Sequence, residues 1–146
     1  MPKDVALDAS VAVKWFKKGE RGETEALSIR EEIFTATIQA VAPHLLLLEV
    51  VRALVKIHCP REKVEQVYST LKEAGSLEII RLIPIQGLLD KAKEIEIDLK
   101  LFASDSTYLA AAITEHKDLL TDDNHLLEQN VRQYAEKQGI HILPIK

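Results

Sequence analysis

Four acidic residues lie where their carboxylates could act together, although the chain separates them widely. Asp8 ends a short apolar segment and Asp123 follows another, so each lies at the carboxyl end of a predicted strand, where ligands gather in open α/β sheets. Glu49 is embedded in an apolar run, and Asp105 opens a predicted helix. Crowded carboxylates repel one another unless divalent cations such as Mg²⁺, which prefers oxygen ligands, are bound. Two such ions roughly 3.5–4 Å apart can hold the attacking and the leaving oxygen of a phosphodiester displacement.

Each acid taken alone also has a simpler structural interpretation. Glu49, Arg52 and Lys56 share one helical stripe, so they could form an exposed face with a weak Glu–Arg pair. Asp105 could interact with the helix dipole from the first turn, and Asp123 could cap a helix. A buried, unpaired carboxylate is costly, however, and needs a cation or a proton. The joint pattern of the four acids therefore favours a cation site.

Short apolar segments alternate with helical patterns along the whole chain. Strands are expected at residues 5–7, 38–42, 77–83, 119–121 and 140–143. Helices are expected at residues 10–16, 23–35, 44–57, 60–74, 85–97, 104–116 and 123–137, with Gly75 just beyond the fourth of them. This alternation predicts an α/β domain around a mainly parallel sheet.

Length and composition suit one globular domain spanning residues 1–146. A single cysteine, Cys59, permits no internal disulfide, which predicts a reducing, cytoplasmic location. The sequence has no apolar run near the roughly 20 residues that cross a bilayer and no signal-peptide pattern at its start. The net charge of −4 argues against binding nucleic acid by charge alone, unless cations reverse the local field around the acids.

The acids and their flanking residues resemble those of the PIN-domain nucleases, in particular the VapC-type toxins of bacterial and archaeal toxin–antitoxin pairs. The segment VALDASVAVKWF, which contains Asp8, resembles the first-strand motif of this family. The family's second acid lies on a helix after a proline and an apolar run, as Glu49 does after Pro43. Many members carry Asn three residues after that acid, where this chain has Arg52.

The second half of the chain continues the resemblance. Asp105 in SDSTYLAAA matches the third acid of the family. The family's fourth acid follows a Thr-x-Asp pattern, which Thr121, Asp122 and Asp123 meet. The likeness therefore covers nearly the whole chain, with its motifs in the expected order.

The resemblance implies a fold and a chemistry. The fold is a three-layer α/β/α sandwich with a central, mainly parallel sheet of about five strands. The chemistry is Mg²⁺- or Mn²⁺-dependent cleavage of RNA by an activated water, which leaves a 5′-phosphate and a 3′-hydroxyl. The residues assigned to catalysis and to the metal are Asp8, Glu49, Asp105 and Asp123. Ser10 and Thr121 would orient the carboxylates through their hydroxyls.

The resemblance also implies partners. Lys14 and Arg52 are candidates for contacts with RNA phosphates, although a solvated charged face is the default for such residues. Family members commonly form homodimers and bind a small antitoxin whose basic segment can enter the acidic pocket.

Two other functions stay open at this point. One is a PIN-fold binding module that does not cut, against which four intact acids argue. The other is an RNA-processing nuclease without an antitoxin, which the absence of a small upstream gene would favour. A haloacid-dehalogenase-like phosphatase is excluded because it needs a second Asp where Ser10 stands, and no Gly-rich phosphate loop is present.

Overall fold

Five parallel strands form one sheet, and its central strands are buried on both faces. The computed structural model describes residues 4–145. The strands are β1 (Val5–Leu7), β2 (Ala40–Pro43), β3 (Ile80–Ile83), β4 (Asp118–Thr121) and β5 (Ile142–Pro144), in the order β3-β2-β1-β4-β5. Every side chain of β1 and β2 is buried, which explains why these strands are continuous apolar runs. The predicted parallel sheet of about five strands is confirmed.

Helices cover both faces of this sheet. In the described part of the chain they are α1 (Ala9–Val13), α2 (Glu23–Phe34), α3 (Leu45–Lys56), α4 (Arg61–Ser76), α5 (Leu89–Leu99), α6 (Ala103–Glu115) and α7 (Gln129–Lys137). Helices α1, α3 and α4 pack on β4, β2 and β3, whereas α6 packs on β1, β2 and β4 and is joined by α5. The result is the three-layer sandwich that the resemblance implied. Among the described helices, none is both long and apolar enough to cross a membrane.

Helix α6 is the most deeply buried helix. Every residue from Asp105 to Ile113 is buried, and Ala110, Ala111 and Ala112 are fully inaccessible to solvent. Their small side chains let the helix lie close to the sheet. Asp105 lies in the first turn of α6, so its position is fixed by the packing of this helix in the core.

The prediction that Gly75 lies just beyond the end of α4 is wrong, because α4 continues to Ser76. A β-carbon at Gly75 would lie 2.5 Å from Cδ1 of Leu82 on β3. A side chain at this position would push the Leu82 side chain aside, so glycine eases the close packing of helix on strand and does not form a turn here. The chain leaves the helix at Glu78, whose φ is 58°.

The prediction that the last helix starts at Asp123 is also wrong, because α7 begins at Gln129. The backbone N–H of His125 donates to Asp123 Oδ1 at 2.7 Å, and this local bond favours a turn over a helix. Three strands also start later than predicted, β2 at Ala40, β3 at Ile80 and β5 at Ile142. Asp123 consequently lies in an irregular segment between β4 and α7.

Candidate functional site

The candidate site lies at the carboxyl ends of β1 and β4, which are neighbours in the sheet. Leu7 is in register with Leu120, and the backbone N–H of Asp8 donates to the Leu120 carbonyl at 3.0 Å. Asp8 and Thr121 are thereby placed side by side at one edge of the sheet. From β1 the sheet grows in both directions, and ligands of open α/β sheets bind where the strand order reverses in this way.

Asp8 is a buried carboxylate with three donors on one oxygen. Its Oδ2 accepts from the Ser10 hydroxyl at 2.6 Å, the Thr121 hydroxyl at 3.0 Å and the Ser10 backbone N–H at 3.2 Å. Burial raises the pKa of Asp8 to about 6; the bonds from Ser10 and Thr121 oppose this rise, and the charge of Asp123 adds to it. Among the described residues no donor bonds Oδ1, so that oxygen is available to a cation.

Ser10 and Thr121 connect Asp8 to the segment that carries the fourth acid. The Ser10 hydroxyl accepts from the backbone N–H of Asp122 at 2.8 Å. The Thr121 hydroxyl accepts from the backbone N–H of Asp123 at 2.9 Å. Each hydroxyl therefore donates to Asp8 and accepts from the β4–α7 segment, so the two orient both parts of the site. Their assignment to a metal site stays a prediction.

Glu49 lies on α3 and is half-buried, whereas Arg52 on the same helix is exposed. Burial raises the pKa of Glu49; the nearby hydroxyls of Tyr108 and Ser104 oppose this rise, and the charge of Asp123 adds to it. No ion pair joins Glu49 to Arg52 in the described part of the chain. The structure therefore favours the buried interpretation of Glu49 over the exposed face.

The negative charges of the other three acids all act on Asp105. Burial raises its pKa to about 7; the charges of Asp123, Asp8 and Glu49 raise it further, and His125 lowers it. The four acids are thus brought within electrostatic reach of one another. As the side chains stand within residues 4–145, no group of three or more acid, histidine or cysteine side chains lies close enough together to hold a metal ion. By donor type, a cluster of carboxylates with uncompensated charge nevertheless fits a divalent cation.

Tyr108 is a residue of the site that sequence analysis did not identify. The Tyr108 hydroxyl is buried beside Glu49 and helps to lower the pKa of that carboxyl. The contact between the two side chains nevertheless lacks the geometry of a well-formed hydrogen bond. Burial and the charges of Glu49, Asp8 and Asp105 raise the pKa of Tyr108. A Tyr three residues after an acid on a helix could have signalled this position, because both face one side.

Tyr108→Phe tests this contact. We expect the variant to be as stable as the wild type or more stable, since it removes a buried hydroxyl with an incomplete bond. If the acids act through a bound cation, we expect the activity of the site to fall roughly tenfold, the lower end of the range for residues that orient metal ligands. Thermal unfolding and initial reaction rates measure the two effects. Tyr68→Phe, a change on the half-buried α4 tyrosine, is the matched control and should alter neither.

The two residues predicted to contact RNA differ in their surroundings. Arg52 is exposed on α3. Lys14 is buried, and its ammonium lies 3.1 Å from Asp122 Oδ2 and 3.5 Å from Glu20 Oε1. An RNA contact by either residue stays a prediction, and Lys14 is already engaged by two carboxylates.

Comparisons with known families and solved structures support the fold. A sequence model of the PIN domain family matches residues 5–131. Among solved structures, a chain of a toxin–antitoxin complex from Klebsiella pneumoniae aligns with a TM-score of 0.61 and 17% identity, covering 94% of this chain and 95% of that chain. At this identity the structural likeness shows the fold alone. No functionally curated protein matches the chain.

Proposed function

Because the chain belongs to the PIN domain family, we propose that it is a metal-dependent endoribonuclease and the toxin of a toxin–antitoxin pair. The proposal covers residues 1–146 as one nuclease domain, since one sheet holds strands from Val5 to Pro144. The observation that carries it is the coupling of four carboxylates at one edge of that sheet. The clearest sign of this coupling is the pKa of Asp105, which is raised to about 7 by burial and by the neighbouring acids.

The residues have distinct roles in the proposed reaction. Asp8, Glu49 and Asp105 would hold Mg²⁺ or Mn²⁺, and Asp123 would complete the set. When bound, the cation neutralises charge on the phosphodiester and makes water a better nucleophile near neutral pH. Ser10 and Thr121 donate to Asp8 Oδ2, which leaves Oδ1 without a donor among the described residues and able to bind a cation. The apolar surroundings strengthen every electrostatic interaction there.

Cleavage of a labelled, unstructured RNA by the purified protein tests the proposal. We expect cutting with Mg²⁺ or Mn²⁺, products with 5′-phosphate and 3′-hydroxyl ends, and loss of cutting in excess chelator that added metal restores. The matched reaction with single-stranded DNA of the same sequence tests the substrate class. Equal cleavage with and without chelator would show that the mechanism is wrong, and binding without any cleavage would favour the binding-module alternative.

An antitoxin is the proposed protein partner. The structural neighbour comes from a toxin–antitoxin complex, and this chain has a groove of about 490 Å³ between α3 and α4 that could receive an apolar segment. Its apolar lining includes Leu48, 62% exposed, and Val55, 50% exposed, and exposed apolar surface of this kind marks protein contacts. Homodimer formation is also proposed and rests on the family resemblance. A small upstream gene whose product restores growth to cells expressing this chain would support the toxin role.

A further inference from the structure

Lys14 is the only buried lysine among the described residues, with 5% of its surface exposed. Lysine is rarely buried unless its charge is paired, because removing an ammonium from water is costly. Its Nζ lies 3.1 Å from Asp122 Oδ2 and 3.5 Å from Glu20 Oε1. The ammonium is therefore enclosed between two carboxylates from different parts of the chain.

These two carboxylates belong to two different connections of the fold, one of which carries Asp123. Glu20 lies in the connection between α1 and α2, and Asp122 lies in the segment between β4 and α7. Lys14 follows α1 directly and joins the two segments. Arg21 also approaches Asp122, at 4.0 Å, but its side chain is 75% exposed, so Lys14 supplies the buried part of this contact.

Asp122 and Asp123 are adjacent, so holding one restricts the other. The backbone N–H of Asp122 donates to Ser10 and that of Asp123 donates to Thr121. The ion pair with Lys14 adds the only side-chain anchor that Asp122 has besides Arg21 in the described part of the chain. It also compensates a fifth negative charge beside the four acids.

We propose that Lys14 is a positioning residue that acts through Asp122 to fix where the Asp123 carboxylate lies. This inference rests on the proposed nuclease function and gives Lys14 a role other than RNA contact. An RNA phosphate could reach the ammonium only by displacing Asp122 or Glu20. Asp122, the variable position of the Thr-x-Asp pattern, gains a function in this chain as the partner of Lys14.

Amide hydrogen exchange of the metal-free protein, measured by NMR, tests directly whether the Lys14–Asp122 ion pair holds the segment between β4 and α7 in place. In Lys14→Met, exchange protection at the Asp122 and Asp123 N–H groups should fall roughly tenfold or more because the segment opens locally, while protection in β1 stays unchanged. Lys17→Met is the matched control, because Lys17 pairs with Glu20 at 3.0 Å and has no ion pair with Asp122 within the described residues. It should leave both N–H groups protected.

Steady-state cleavage provides the second measurement. We expect Lys14→Met to lower kcat roughly 10- to 100-fold, as for residues that orient metal ligands, with KM within about twofold of the wild type. A raised KM with unchanged exchange would show that Lys14 contacts RNA and would overturn the proposal. Lost protection with unchanged kcat would overturn it as well.

Asp122→Asn is the second variant. It tests the same proposal from the other side of the ion pair and can be used if Lys14→Met does not fold. It keeps Lys14 paired with Glu20 and should show the same loss of protection and of kcat. Wild-type exchange and kcat in this variant would contradict the proposal. Exchange is measured without metal or RNA, so it does not depend on the nuclease function. A wild-type protein that cuts no RNA would refute that function, but the effect of the Lys14–Asp122 ion pair on exchange could still be observed.

Discussion

An Asp8→Asn variant is expected to lose RNA cleavage while it keeps its fold. The amide oxygen can still accept from Ser10 and Thr121, but the negative charge that a cation requires is gone. Metal ions supply several kcal/mol of transition-state stabilisation, so we expect a loss of about a thousandfold at 1.36 kcal/mol per factor of ten. Initial rates on a labelled RNA at fixed Mg²⁺ measure the effect.

The same variant should be more stable than the wild type when no metal is present. Asp8 is 4% exposed, and its charge is opposed by burial and by Asp123, so a neutral side chain removes an unfavourable interaction. Asp98→Asn, on the exposed surface of α5, is the matched control and should change neither activity nor stability. Wild-type activity in Asp8→Asn would rule out Asp8 as a metal ligand, and a lower unfolding temperature would contradict the burial argument.

Lowering the pH from 8 to 5 is expected to stabilise the metal-free wild-type protein. The pKa is raised from 3.8 to about 6 at Asp8 and to about 7 at Asp105, so the folded state binds protons more tightly than the unfolded state does. Stability then falls as the pH rises: the cost of the two charges is absent below about pH 4 and fully present above about pH 7. For Asp8 alone the whole shift corresponds to about 3 kcal/mol, of which roughly half is recovered between pH 8 and pH 5.

Thermal unfolding in chelator across this pH range measures the effect. We expect the midpoint temperature to be several degrees higher at pH 5, since about 1 kcal/mol shifts it by roughly 2–4 °C in a chain of this size. Saturating Mg²⁺ at pH 8 should recover much of the difference, because a ligand that binds only the folded state stabilises it. The Asp8→Asn variant should show a shallower dependence on pH. An equally steep dependence in that variant would place the titrating group elsewhere.

The sheet and the four acids could be predicted because each depends on local sequence. Apolar segments such as Val5–Leu7 alternate with helical patterns, which is enough to predict a parallel α/β sheet. The acids stand in short motifs whose flanking residues are distinctive, and only their mutual approach required the folded chain. Glu49 was ambiguous in the sequence, and its half-buried position beside Tyr108 supports the buried interpretation, while its role in a metal site stays a prediction.

The features that could not be predicted depend on contacts between distant elements. The sequence predicted a helix end at Gly75, but α4 includes this residue, and its contact with Leu82 on β3 is visible only in the folded chain. Lys14 looked like one of several basic residues on a solvated stretch, and its partner Asp122 is far away in the chain. The irregular segment at Asp123 follows from a side-chain bond to the His125 N–H, which competes with the helical pattern seen in the sequence.

The pairing of β1 with β4 has a consequence for the synthesis of this protein on the ribosome. The bond between Thr121 and Asp8 spans 113 positions, so a nascent chain that ends before β4 has neither the second neighbour of β1 nor the fourth acid. Contacts this distant in sequence form late and slowly. Under the proposed function, the candidate site would therefore be assembled only after β4 and Asp123 have been translated, which is nearly the whole chain.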